Sequence, residues 1–271
     1  MNTSLIDATA IALDIPALDQ PLCLYIHGEE DKFVSQQLRE SGVWEPYETT
    51  LLLDILEPGS VFVDVGANIG YFSILAASVV GEAGKVIAFE PDPANARLLR
   101  SSCDLNGLQS TVELVEAGLA TTACAGQLYL SEDNLGDHQI YAGGEARESL
   151  PIVLLNGSEA LAPKLNRLDL LKVDTQGSEF EVISGLMPLL SALPCPPQII
   201  IELTPFSLRE AGASGRRLIE LLATLGMAFW IIDHIEHRLV LSSEEELAQW
   251  CDDVDHSEGD LGFMNILLRA G

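Results

Sequence analysis

Two acids that close two apolar runs, with a glycine-bearing bend between them, are the residues of this chain whose types and spacing speak most directly of chemistry. Val61-Phe-Val-Asp64 leads through Val65 into Gly66-Ala67-Asn68-Ile69-Gly70, and Ala88-Phe89-Glu90-Pro91-Asp92 follows, with Glu90 lying 20 residues beyond Gly70. Glycine has no β-carbon, so such a bend can take positive φ values and admit a ligand close to the backbone. The acid that ends the second strand of a βαβ unit stands where it can accept both hydroxyls of a ribose. Together these features describe a nucleoside-binding site.

The spacing selects among nucleosides. A dinucleotide site requires G-x-G-x-x-G with a helix N-terminus aimed at a pyrophosphate, whereas this bend reads Asp64-x-Gly66-x-x-x-Gly70 and opens with an acid. A carboxylate there repels a pyrophosphate and suits a ligand carrying an ammonium and a sulfonium. S-adenosylmethionine is therefore the expected cofactor. Asp64 is expected to anchor its amino group, with Gly66, Ala67 and Gly70 shaping the turn and Asn68 bonding the carboxylate. Glu90, with Pro91 behind it, is expected on the ribose, the alternative being a helix-capping role. Glu116, which closes a third strand, is expected to reach the adenine amino group or else to be solvated.

Positioning these residues takes a sheet. From Ser60 onward apolar strands alternate with amphipathic helices: strands at 61–65, 85–90 and 111–116, helices at 69–80 and 93–106. After a break the rhythm resumes with a strand at 168–174, a helix at 178–190, a strand at 198–203 and a helix at 215–225. This alternation predicts a parallel sheet with helices on both faces. Segments 227–233 and 238–241 read as a late antiparallel hairpin, with 263–268 a further strand. Residues 1–59 read as an N-terminal extension of the same unit, with a short apolar run at 22–26 and helices near 33–40 and 45–56. Residues 60–271 form the cofactor-binding domain, and its 118–165 insertion, with strand-like pieces at 127–131 and 151–155, is expected to shape the substrate pocket.

Composition excludes several classes. With 14 basic against 41 acidic residues the net charge is −27, which repels phosphodiester backbones and argues against RNA or DNA as a substrate. No apolar stretch approaches the roughly 18 residues that span a bilayer, and the first seven residues lack a basic leader. Five scattered cysteines without C-x-x-C suggest neither a disulfide framework nor zinc, and a cytoplasmic location with reduced thiols is expected. The stretch Asp252-Asp253-Val-Asp255-His-Ser-Glu258-Gly-Asp260 is expected to be an exposed loop.

Five stretches carry a family likeness: Gly42-Val-Trp-Glu-Pro-Tyr-Glu48, Val61–Phe72, Phe89-Glu-Pro-Asp92, Leu170-Leu-Lys-Val-Asp-Thr-Gln-Gly-Ser-Glu179 and Ile200-Ile-Glu-Leu203. In these, the chain resembles the FkbM family of S-adenosylmethionine-dependent methyltransferases. The resemblance implies a Rossmann-like class I α/β fold, a mostly parallel seven-stranded sheet, and methyl transfer to a hydroxyl of a sugar, lipid or secondary metabolite. Two departures stand out: Asp174-Thr-Gln176-Gly replaces the family's frequent Asp-Val-Glu-Gly, and Leu155-Asn156 replaces a Leu-Asp pair.

Methyl transfer from a sulfonium is an in-line displacement that needs the acceptor held near attack distance and its proton removed. Asp174 and Glu202, near the ends of the fourth and fifth strands, are expected side by side, holding a divalent cation such as Mg²⁺ or acting as base. The alternative is that Asp174 caps the following helix and Glu202 joins a hydrogen-bond network. His138, beside Asp137, is the histidine candidate for the base. His234 and His237 are read as hairpin residues whose side chains diverge, and His27 and His256 as surface positions. No Asn/Asp-Pro-Pro-Tyr/Phe run follows the fourth strand, which disfavours a nucleobase amine and leaves an oxygen acceptor of small-molecule size. A cofactor-binding module without catalysis and a nicotinamide-dependent oxidoreductase are the competing readings, the latter missing its G-x-G-x-x-G.

Overall fold

A computed structural model describes residues 8–18, 20–143, 147–257 and 259–270. The opening Met1–Asp7 lies outside the described residues, as does Glu258 of the acidic stretch. Strands β1 (Thr9–Ala12) and β2 (Cys23–Ile26) pair antiparallel, followed by helices α1 (Val34–Ser41) and α2 (Pro46–Ile55). Next come β3 (Val61–Val65), α3 (Tyr71–Val80), β4 (Lys85–Phe89), α4 (Pro93–Asn106) and β5 (Val112–Val115). α4 shows why these boundaries were legible: Asp92 caps it through Asn95 N–H at 2.9 Å, Pro93 fits the first turn, and Gly107 ends it in the left-handed region.

The insertion folds into a small sheet of β6 (Gly118–Ala120), β7 (Cys124–Tyr129) and β8 (Ser149–Asn156), ordered β6-β8-β7. Asn156 caps the short α5 (Gly157–Leu161) by accepting the Glu159 N–H. The remaining elements are β9 (Leu170–Val173), α6 (Glu179–Ala192), β10 (Gln198–Leu203), α7 (Pro205–Glu210), α8 (Gly215–Ala223), β11 (Ala228–Asp233), β12 (Arg238–Ser242), α9 (Glu244–His256) and β13 (Met264–Arg269).

The main sheet runs β12-β11-β13-β10-β9-β3-β4-β5. β5, β4, β3, β9 and β10 are mutually parallel, while β13 slots antiparallel between β10 and β11. This is the Rossmann-like α/β arrangement anticipated from the alternation, with eight strands among the described residues instead of seven because β12 adds an edge. The chain winds outward from β3 to β5 on one side and from β9 to β10 on the other, so β3 and β9 flank the switch point outside whose carboxyl ends ligands bind.

Strand residues alternate between two cores, as a period of two requires. Phe62, Leu170, Ile200 and Leu267 pack with Leu24, Leu52 and Ile74, so the N-terminal elements share the core on that face. Val63, Leu171, Ile201 and Ile266 pack with Val182, Leu186 and Leu218 on the other. The acidic stretch is corrected here: through His256 it is the end of α9, not a loop. Ser243 and Glu246 cap that helix reciprocally, Leu247, Ala248, Cys251 and Val254 bury its inner face, and Asp252 and Asp255 pair with Arg216 and Arg209.

Candidate functional site

The bend after β3 is built around two glycines that no other residue can replace. Gly66 has φ 83° and Gly70 φ 91°. A Cβ on Gly66 would lie 1.8 Å from the Asp174 carbonyl oxygen, and one on Gly70 would lie 2.4 Å from Leu99 Cγ. Missing side chains thus let the ends of β3 and β9 touch. Gly66 and Ala67 both donate their N–H to Phe89 O at 3.0 Å, tying the bend to the end of β4. Asn68, also left-handed at φ 52°, donates its N–H to Glu90 Oε2 at 2.7 Å, and its own Oδ1 accepts from Ile69 N–H.

Glu90 is buried, and burial pushes its carboxyl up to about 8. Its two oxygens accept the Asn68 and Asp92 N–H groups, at 2.7 and 2.8 Å, which favours the ionised form. Since Asp92 is the cap of α4, Glu90 is free of that alternative duty. Glu90 and Pro91 line a narrow cavity whose walls include Phe89, Leu119, Leu128 and Ile140. The slot is mostly apolar, with the Glu90 carboxyl at its rim.

Two expectations move at this cavity. Glu116 does not line it: one residue past β5 it turns outward and pairs with Arg100 on the surface, and Gly118 and Leu119 take the wall instead. His138 does line it, alongside Glu90 and Asn95. Its Nδ1 accepts the Ser131 N–H at 3.1 Å, which requires a lone pair there, and burial lowers its pKa. His138 thus presents an imidazole whose Nδ1 is occupied as an acceptor to the slot that Asp174 also lines, while Glu202 lines only the adjoining cavity.

A second cavity of about 400 Å³ adjoins the first, sharing Gly66, Asn68, Gly136, Asp174 and Gln176. Asp64, Lys172 and Glu202 line it as part of a row of polar residues on one face of the sheet. Asp64 of β3 stands in register with Lys172 of β9, and Glu202 of β10 stands in register with Asn265 of β13. All share the parity of Phe62, Leu170, Ile200 and Leu267, so the row replaces the apolar core where those strands end. α2 covers it with Glu45 and Glu48, and α3 adds Ser73, whose Oγ donates to Asp64 Oδ2 at 2.6 Å.

Lys172 is the hub that the sequence reading passed over. It is 3% exposed; its Nζ lies 2.9 Å from Asp174 Oδ2, 3.7 Å from Glu48 Oε1 and 4.7 Å from the Phe72 ring centroid. Burial alone would lower its pKa, but Asp174, Glu48, Glu45 and Asp64 outweigh that and hold it well above the usual lysine value. It is therefore an ammonium. Burial, offset in part by Lys172 and Ser73, raises Asp64 to about 6. Burial, followed by the Asp174 and Glu179 charges, pushes Glu202 well above the usual carboxylate range. A lysine inside an otherwise apolar parallel strand was the signal available, since such positions rarely bury a charge without partners.

Asp174 and Glu202 both accept from the Gln176 side chain, whose Nε2 donates to Asp174 Oδ1 at 2.9 Å and Glu202 Oε2 at 3.1 Å. The amide at 176, where the resembled family often carries a glutamate, spans two carboxylates that a third would repel. Gln176 sits at φ 54°, and buried Glu179 fixes its loop by accepting the Thr175 and Gly177 N–H groups. Of the remaining histidines, His234 and His237 lie in the turn between β11 and β12, where His237 stacks on Tyr47 and His234 approaches Glu45 and Glu48. His27 is not merely a surface residue: its Nε2 lies 2.7 Å from Asn95 Oδ1.

Comparison with known proteins adds relatives. Methyltransferase sdnD of Sordaria araneosa is 27% identical over 154 residues, covering 46% of this chain and 59% of that protein. Methyltransferase 1 of Beauveria bassiana is 25% identical over 147 residues, covering 47% and 58%. The chain thus matches less than two thirds of the length of these curated relatives. A solved SAM-dependent O-methyltransferase from Thermotoga maritima superposes with a TM-score of 0.45 at 13% identity, over 98% of this chain and 93% of that one. The profile of the methyltransferase FkbM domain matches residues 64–229, from the acid of the first bend to the start of β11. That match takes in well over half of the 271 residues, and the chain belongs to the methyltransferase FkbM domain family.

Proposed function

We propose that the protein is an S-adenosylmethionine-dependent methyltransferase that methylates a hydroxyl of a small molecule, a sugar or a secondary metabolite. The observation that carries this reading is the juxtaposition of a mostly apolar slot at Glu90 with an acid–base cluster of Lys172, Asp174 and Glu202 in the adjoining cavity. S-adenosylmethionine, when bound, supplies an activated methyl group. Asp64, Asn68 and the Gly66–Gly70 bend would hold its amino-acid end, and Glu90 the ribose. Glu202, whose pKa burial raises, is in its ionised form a stronger base than an ordinary carboxylate and is suited to take the acceptor's proton. Lys172, kept as an ammonium, stabilises negative charge building on the acceptor oxygen.

The acceptor's character is suggested by the rim. Phe33 and Phe263 line the cavity while remaining 51% and 61% exposed, and Trp44 joins them from the N-terminal extension. Aromatic faces around a polar floor suit a ring-bearing acceptor whose hydroxyl points inward. The strong negative charge supports a small-molecule acceptor over a nucleic acid. No helix among the described residues is long and apolar enough to cross a membrane. The Asp174–Glu202 pair is less suited to a cation than expected, because the Gln176 amide presents donors to both carboxylates. Calorimetric titration with S-adenosylhomocysteine, followed by turnover on a panel of sugar and polyketide-like hydroxyl compounds, tests the reading. Micromolar binding with methyl transfer to oxygen is expected, and binding without transfer to any hydroxyl would favour the non-catalytic module.

A further inference from the structure

One cluster next to the cavity joins two acids that neighbour Lys172 to a histidine that the chemistry above does not use. A ligand atom each from Glu45, Glu48 and His234 lie within 4.8 Å of one another. Glu48 is 0% exposed, yet its Oε1 has no hydrogen-bond partner among the described residues, and the same holds for Glu45 Oε2 and His234 Nε2. Three bare polar atoms in one buried place are unusual, because folded chains satisfy such groups. Asn265 accounts for the other carboxylate oxygens. Its Nδ2 donates to Glu48 Oε2 at 2.7 Å and approaches Glu45 Oε1 at 3.4 Å, orienting both acids and leaving one oxygen of each unused.

The neighbouring charge does not fill the gap. Lys172 Nζ is 3.7 Å from Glu48 Oε1, beyond hydrogen-bond reach, and is engaged by Asp174 at 2.9 Å. Glu45, Glu48, Asp64 and Asp174 all surround that single ammonium. Two carboxylates with one imidazole form a borderline donor set: the imidazole disfavours Mg²⁺ and Ca²⁺, which prefer oxygen alone, and suits Zn²⁺ or Mn²⁺. An amide that orients the carboxylates from behind is the kind of outer support metal ligands have.

We propose that Glu45, Glu48 and His234 bind one divalent transition-metal ion. The ion would pin the β11–β12 turn to the first turn of α2, where His237 already stacks on Tyr47 with ring centroids 5.6 Å apart. Because Glu45 also lines the large cavity, the ion would fix one wall of the acceptor site.

Chelator-stripped full-length protein titrated calorimetrically with Zn²⁺, in excess Mg²⁺ and physiological salt to saturate weak surface carboxylates, tests this. One tight equivalent is expected in the wild type. His234→Ala and Glu48→Gln should each weaken it at least about tenfold, while His256→Ala, at an exposed histidine of α9, should leave it unchanged. Co²⁺ should give visible absorption bands in the wild type that His234→Ala lacks. Circular dichroism on the stripped variants establishes that they are folded, and if Glu48→Gln is not, His234→Ala decides. Zn²⁺ binding that is equal in wild type and His234→Ala, or no saturable equivalent in the wild type, overturns the site. The readout is metal binding, so its outcome is independent of whether methyl transfer is found.

Discussion

At the level of single residues, the site is a contest between burial and charge, and its winners can be tested. Glu202 must lose its proton to act as base, and burial beside Asp174 raises its pKa, so turnover should climb as pH rises through that pKa. Glu202→Gln is expected to lower kcat by about 10²–10⁴-fold and to abolish that rising limb; a variant that keeps both would remove Glu202 from the reaction. Asp64→Ala and Glu90→Ala should each weaken S-adenosylhomocysteine binding by about 1–3 kcal/mol, as loss of a charge-assisted hydrogen bond does. His138 lines the same slot as Glu90, so on the proposed reading His138→Ala should raise the same dissociation constant. Lowered turnover with unchanged affinity would return that histidine to the role of base. Asp64, Gly66, Asn68, Gly70 and Glu90 were legible because a bend between two strand-end acids is a local pattern. Lys172 offered only the oddity of a charge inside an apolar strand and Asn265 no signal, since the partners that give them meaning come from strands paired with β9 and β13 across the fold.

Among the elements, those whose ends carry their own chemistry were readable from sequence. α4 begins at Asp92-Pro93 and ends at Gly107, and the expected and observed limits coincide. α9 was obscured by its charge, yet the Ser243-x-x-Glu246 box and apolar positions at 247, 248, 251 and 254 spell a helix. Ser243→Ala should destabilise the protein by about 0.5–2 kcal/mol in urea denaturation; no measurable loss would mean that packing of Leu247 and Cys251 alone sets the helix start. β12 was read as half of a hairpin, but its place as an eighth strand at the edge is decided by β13 inserting between β10 and β11.

For the molecule as a whole, buried acids make stability depend on pH. Asp64 is raised from 3.8 to about 6 and Glu90 from 4.5 to about 8, so the folded state binds protons that the unfolded chain has released. Their contribution is full below about pH 4 and is lost as pH rises through 6 and 8. The ligand-free protein should therefore be less stable to urea at pH 8 than at pH 5, even in high salt that screens the surface charge. A flat profile in high salt would show that both acids are ionised throughout and held by their N–H and hydroxyl donors. The sequence by itself determined the alternation that builds the parallel sheet, the glycine bend between two strand-end acids, and the strong net negative charge, because each is written in neighbouring residues or in composition. Only the tertiary structure decided that Asp64, Lys172, Glu202 and Asn265 form one polar row on a sheet face, that Glu116 faces solvent, and that Glu45, Glu48 and His234 meet. Those residues lie up to 220 positions apart, and strand order and register alone bring them to one face.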